Sequence, residues 1–282
     1  MSGAGNLFTV IDNSKYLLSH EQLVILSPAL CQTKKYKTEG LLVINKDDSY
    51  AFITDFYNPD GSFGAMCGNG ARCAVAFSNK FKLFEIESYP NEIQFFMCSR
   101  DYVARYNGKN IIIFFPPPIK IQHNLSINVE NVTLSEIEGS YVDVGSKHLV
   151  VNIKKQAQWK DIPIDDLDLI SIAPQYRYHL QFVPDGVNFN IYENIDKNII
   201  LLRTYEKGVE GETGACGTGA ISTALVSVIN NETEFPVTVI PTSKIPVIVD
   251  VIGKIDNIEK ISLEGPAEFI GETEIEIPDF NE

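Results

Sequence analysis

CGNGA (Cys67–Ala71) and CGTGA (Cys216–Ala220) are two copies of one pattern, Cys-Gly-x-Gly-Ala, set 149 positions apart. Each copy leads into a helix-compatible stretch, around residues 71–81 in the first case and from Gly219 to about Ile229 in the second. In the second stretch Ile221, Leu225 and Val228 recur at i, i+4 and i+7, which places them on one helix face. The same cysteine kept at a loop-to-helix junction in both halves predicts a duplicated architecture. A cleft is expected where the halves meet, with one cysteine presented from each side.

Outside the motifs the chain reads mostly as strands. TEGLLVIN, SYAFITDFYN, EIQFFMC, DYVARY, NIIIFF, FPVTVI and IPVIVDVIG are short, β-branched or aromatic, and bounded by Gly, Pro, Asn or Asp. A third helical pattern lies near residues 20–31. The run Pro116-Pro117-Pro118 carries no backbone donors, so it ends the preceding strand and marks a candidate boundary between halves. The alternation in GETEIEIPDF predicts a half-exposed edge strand with Ile275 and Ile277 turned inward.

A chain of 282 residues, 44% hydrophobic, is long enough for two ordinary cores. Its net charge of -14 repels polyanions, and no basic stretch interleaved with aromatics compensates, which argues against nucleic acid. No apolar run reaches the roughly 18 to 20 residues of a membrane helix, and MSGAGNLFTVID lacks the layout of a signal peptide. Five scattered cysteines with no Cys-x-x-Cys spacing suit reduced thiols rather than a disulfide framework. A soluble, cytoplasmic chain acting on a small molecule, with no membrane partner, is the expectation.

The chemistry follows from the paired motif. A helix N-terminus presents unpaired N–H groups and partial positive charge, and glycines let that backbone approach a ligand closely. Two such termini suit one carboxylate, and their field favours a thiolate over a thiol. Abstracting the α-proton of an amino acid builds charge on its carboxylate, so preorganised N–H donors there stabilise the transition state. Inverting the centre needs a base on one face and an acid on the other, which Cys67 and Cys216 supply as a pair. No metal cluster and no pyridoxal or nucleotide motif accompanies them, so no cofactor is expected. Cys73, Cys31 and Cys98 read as packing residues, and His148, after the Gly-Ser turn of DVGSKHLV, is read from its surroundings as structural or chemical alike.

Across GNLF, NPDGSFGAMCGNGARC, GSKH, GVNF and YEKGVEGETGACGTG the chain resembles the diaminopimelate epimerase family, over nearly its whole length. The resemblance implies an isomerase that interconverts LL- and meso-diaminopimelate without pyridoxal, in lysine and cell-wall precursor synthesis. It implies an α/β (α+β) fold of two pseudo-symmetric halves, each a curled, mostly antiparallel sheet around a central helix. The halves are expected at 1–118 plus 263–282 and at 119–262, with a homodimer an open option. By resemblance Cys67 and Cys216 are the catalytic pair, and Gly68, Asn69, Gly217 and Thr218 offer N–H groups to the reacting carboxylate. Asn6, Asn58 and Asn188 match substrate-binding amides, although Asn58 before Pro59-Asp60-Gly61 also suits a turn. Glu206 matches a residue near the substrate amino group, and His148 one that assists the first cysteine as a proton partner. Three positions depart from the family: Lys207 replaces the arginine that grips the distal carboxylate, Ser146 an asparagine, and Leu7 an aspartate. They leave open a sister racemase of another amino acid, or a non-catalytic thiol redox or binding protein on the same fold.

Overall fold

Short β-branched and aromatic runs satisfy their backbone groups only by pairing with one another. In the computed structural model, which describes residues 1–84, 92–129 and 136–276, they form sixteen strands accompanied by four α-helices. The chain divides into two compact units, Met1–Phe114 with Glu264–Glu282, and Phe115–Leu263.

In the first unit β1 (Ser2–Gly3), β2 (Asn6–Asp12), β3 (Gly40–Asn45), β4 (Ile53–Tyr57), β5 (Ile93–Met97), β6 (Arg100–Tyr106) and β7 (Ile111–Phe115) lie side by side in chain order. β2 runs parallel to β3, β3 antiparallel to β4, β4 parallel to β5, and β5 antiparallel to β6. Parallel neighbours need a crossover. Helix α1 (His20–Cys31) lies between β2 and β3, and α2 (Gly68–Lys80) between β4 and β5. A capping box between Ser19 and Gln22 starts α1.

The second unit repeats that order of pairings. Its strands are β8 (Lys120–Asn128), β9 (Glu136–Asp143), β10 (Lys147–Asn152), β11 (Asn188–Asp196), β12 (Ile199–Glu206), the short β13 (Gly211–Glu212), β14 (Val237–Ile240), β15 (Val247–Lys254) and β16 (Asn257–Gly265). β10 is parallel to β11, β11 antiparallel to β12, β12 parallel to β14, and β14 antiparallel to β15. Helix α3 (Leu169–Arg177) lies between β10 and β11, and α4 (Gly217–Ile229) between β12 and β14. A cysteine-capped helix therefore occupies the second parallel crossover in each unit.

Helix α4 touches β9, β10, β11, β12, β14 and β15, so the sheet of its unit curls around it. Residues Gly219–Ser227 are buried without a break, as befits a central helix. Burying Ile221 and Leu225, each with no exposed surface, contributes about 1.5–3 kcal/mol apiece. In the first unit, Phe56 on β4 packs directly against two glycines. A Cβ built on Gly40 would stand 2.1 Å from its Cε2, and one built on Gly64 2.1 Å from its Cδ1. The ring fills the volume of two missing side chains.

Two features differ from the sequence expectation. Helix α3 was not anticipated, because LISIAPQYR is short and carries Pro174 inside; Asp168 starts it by accepting from Ser171 N–H. The expected edge strand in 271–280 does not form over residues 271–276. Ile275 is half-buried against the cluster of Leu23, Leu26, Leu41 and Val43, while Ile277 lies outside the described residues. Alternation supplies an inward face but no ladder: the carbonyl of Glu272 is met by the Lys35 ammonium at 3.4 Å.

Candidate functional site

Cys67 is the N-cap of α2, in extended backbone conformation, and is half-buried. Its Sγ accepts from Gly70 N–H at 3.5 Å. Gly68 and Asn69 occupy the first two helical positions, where N–H groups have no acceptor within the helix. The Asn69 side chain belongs to a directed file of hydrogen bonds. Arg72 Nη2 donates to Asn69 Oδ1 at 2.6 Å, Asn69 Nδ2 to Asn6 Oδ1 at 3.2 Å, and Asn6 Nδ2 to Glu39 Oε2 at 2.5 Å. Arg72 has no exposed surface, and burial pushes its pKa down to about 10 against the pull of Cys73 and Cys67. Its presence near the Cys67 thiol escapes the sequence reading; the signal is an arginine on a helix turn otherwise made of small residues. Asn58 is committed to a turn: its Nδ2 donates to Ser62 Oγ at 2.9 Å, and its carbonyl accepts from Gly61 N–H at 2.9 Å.

Cys216 is the N-cap of α4 and is 7% exposed. Gly217 and Thr218 take the first two helical positions. The thiol bonds to Glu206, to Gly219 N–H, and to Thr218 Oγ1 at 3.6 Å. A lowered pKa from the helix field is the sequence expectation, and here it is corrected. Burial pushes the thiol well above its usual range and the Glu206 carboxylate pushes it further, outweighing the helix terminus. Glu206, at the end of β12, is itself raised by burial while its bonds from Thr213 and Cys216 oppose the rise. It therefore sits on the second thiol, with Thr213 as a partner no sequence pattern announces.

His148 on β10 also serves that second loop: its Nε2 lies 3.0 Å from Thr218 Oγ1 and its Nδ1 2.9 Å from Asn190 Nδ2. The ring has no exposed surface, and burial depresses its pKa to about 3, so it is neutral near pH 7. Asn188 ties three segments together, donating through Nδ2 to Ser146 Oγ and Lys147 O, each at 2.9 Å, and accepting Lys207 N–H at 2.8 Å. The Lys207 side chain is exposed, in the turn after β12. Of the other thiols, Cys31 and Cys73 are wholly buried, whereas Cys98 is half-buried in the β5–β6 hairpin at φ 47°.

The diaminopimelate epimerase family model matches residues 1–88. A diaminopimelate epimerase of Chlorobaculum tepidum is 32% identical over 276 residues, covering 95% of this chain and 96% of its own. One from Aquifex aeolicus is 31% identical over 80% of this chain and 79% of its own. Solved structures share the fold at low identity. A probable proline racemase from Agrobacterium radiobacter superposes with TM-score 0.68 at 13% identity, covering 99% of this chain and 92% of its own. A PhzF-family phenazine biosynthesis protein of Bacillus anthracis gives TM-score 0.68 at 12% identity, covering 98% and 95%. With a relative 32% identical over nearly the whole of both chains and a cysteine at the head of the corresponding helix in both units, this chain belongs to the diaminopimelate epimerase family.

Proposed function

We propose that this chain epimerises LL-diaminopimelate to meso-diaminopimelate by transfer of the α-proton between two thiols, Cys67 and Cys216. The observation that carries the reading is the shared placement of the two cysteines, each the N-cap of a helix whose first turn begins Gly-x-Gly. The N–H groups of Gly68 and Asn69, and of Gly217 and Thr218, suit a carboxylate on which charge grows as the α-proton leaves. One sulfur, as thiolate, takes the proton from one face of the carbon; the other, as thiol, delivers its own to the opposite face. The product leaves with inverted configuration and the two sulfurs exchange protonation states. The cytoplasm, where thiols stay reduced, is the compartment this chemistry suits.

The distal end of the substrate is assigned to Lys207. Its ammonium is a point charge that attracts a carboxylate without the paired parallel bonds of a guanidinium. The test is a panel of LL-diaminopimelate and L-amino acids in deuterium oxide, read by NMR for α-proton washout. Washout fastest with diaminopimelate supports the reading. A faster amino acid lacking the distal carboxylate would identify a sister racemase, and no washout with any amino acid would overturn the two-thiol chemistry.

A further inference from the structure

Beneath the N-terminus of α4 four side chains form a continuous file that ends on Cys216. Thr204 Oγ1 donates to Asn190 Oδ1 at 2.9 Å, Asn190 Nδ2 stands 2.9 Å from His148 Nδ1, and His148 Nε2 stands 3.0 Å from Thr218 Oγ1. Thr218 Oγ1 is in turn 3.6 Å from Cys216 Sγ. An amide nitrogen can only donate, so His148 Nδ1 accepts and the single proton of the neutral ring resides on Nε2. That Nε2–H donates to Thr218, whose own hydroxyl proton is left for the sulfur. Every proton in the file points toward Cys216.

The fold does not require this file, because the first unit builds the same arrangement without it. Strand registers put the units in correspondence: Phe8 faces Gly40 as His148 faces Asn188, and Leu42 faces Phe56 as Asn190 faces Thr204. The glycines above agree. The nearest atom to a Cβ built on Gly70 is Leu42 Cδ2 at 3.2 Å, and to one built on Gly219 it is Asn190 Oδ1 at 3.0 Å. Where the second unit has His148, Asn190 and Thr204, the first has Phe8, Leu42 and Phe56, with the two phenyl rings in edge contact at 6.1 Å. Apolar filling thus supports a cysteine-capped helix on these strands. Burying three polar side chains in its place costs desolvation that hydrogen bonds only offset. Packing alone does not account for them.

We propose that Asn190 and Thr204 are positioning residues for Cys216, holding His148 in its Nε2–H tautomer so that the Thr218 hydroxyl donates to the sulfur whenever Cys216 is the thiolate. The proposal rests on the two-thiol reading above and deepens it. When Cys216 has given its proton to the α-carbon, the charge on sulfur meets a donor already in place, which is worth most in a buried site. Beneath Cys67 the corresponding positions are apolar, so the assistance is given to one of the two proton transfers only.

The first measurement needs no substrate: ¹⁵N–¹H correlation of the histidine rings in the ligand-free protein near pH 7. His148 protonated on Nε2 is the expected result, and protonation on Nδ1 overturns the proposal. The second uses Asn190→Leu, which reproduces the filling that Leu42 provides in the first unit, and Thr204→Val. Asn190→Leu is expected to abolish the tautomer preference and to lower kcat for α-proton exchange about 10- to 100-fold with KM within about twofold. Thr204→Val is expected to act in the same direction and less. An Asn190→Leu protein that is folded and keeps wild-type kcat overturns the proposal. Absence of exchange with every amino acid in the wild type overturns the underlying reading instead, and the ring spectrum tells the two failures apart.

Discussion

Arg72 Nη2 lies 2.6 Å from Asn69 Oδ1, so a wholly buried guanidinium is anchored to an amide in the first turn of the helix that Cys67 caps. Its Nε adds a contact to the carbonyl of Pro266 at 3.4 Å. The cation favours thiolate at Cys67, as their mutual attraction requires. Arg72→Met is expected to slow alkylation of Cys67 at pH 7 several-fold. It should also cost about 1–3 kcal/mol of stability by removing the buried bond from Arg72 to Asn69 Oδ1. Unchanged alkylation in a folded variant would remove Arg72 from the chemistry.

Cys216 carries the opposite electrostatics. Burial and the Glu206 carboxylate both hold its proton on. In Glu206→Gln the second of these causes is gone and the first remains, so the titration midpoint of Cys216 should fall while staying above that of a free thiol. The pH dependence of its alkylation in a Cys67→Ala background measures this directly. A midpoint that stays or rises would show that the carboxylate does not govern the thiol.

Replacing either cysteine with alanine is expected to leave a folded protein whose epimerisation drops by about 10²–10⁴-fold or more, since one face of the carbon loses its proton carrier. Circular dichroism checks the fold, and conversion of LL-diaminopimelate followed by chiral chromatography checks the loss. Near-wild-type conversion by either variant contradicts the two-thiol pair.

Lys207 is exposed, so the distal contact proposed for it is that of a solvated charge pair, about 1 kcal/mol or less. Lys207→Met is therefore expected to raise KM for diaminopimelate about fivefold with kcat little changed. Added salt should erode the difference between the two proteins. A fall in kcat with KM unchanged would place the residue in the reaction rather than in recognition.

Acid should destabilise the protein partly through His148. Its pKa is about 3 in the folded state against the usual 6.5, so between those values the unfolded chain binds a proton that the folded one does not. Stability is then unaffected by this group above pH 6.5 and is lost as pH falls below it, at up to about 1.4 kcal/mol per pH unit. Denaturant titrations of wild type and His148→Gln from pH 7 to pH 4 should converge as pH drops. Parallel curves would mean that the ring is not held neutral.

The placement of the paired motif was legible in the sequence because the pentapeptide repeats: Cys67 and Cys216 both cap helices, and the runs read as strands are strands. What was not legible depends on partners distant in the chain. The direction of the Cys216 shift is set by burial and then by Glu206, ten residues away and on another element, neither of which a local motif encodes. Asn190 and Thr204 look like ordinary strand residues until the β11–β12 register brings them opposite each other under Gly219. Helix α3 was hidden by its internal Pro174, and the alternation around Ile275 promised a strand for which residues 271–276 find no ladder.

Phe56 lies within 2.1 Å of where a side chain would begin at both Gly40 and Gly64. These three positions cannot drift independently. Even alanine at either glycine collides with the ring, and at Gly40 also with the Tyr57 carbonyl oxygen at 2.9 Å, so a smaller residue at 56 is needed first yet does not by itself clear position 40, and that intermediate carries a cavity costing about 3–5 kcal/mol if truncation reaches alanine. Among descendants of this chain the three should change together or not at all, whereas the corresponding place in the second unit is held by the smaller Thr204.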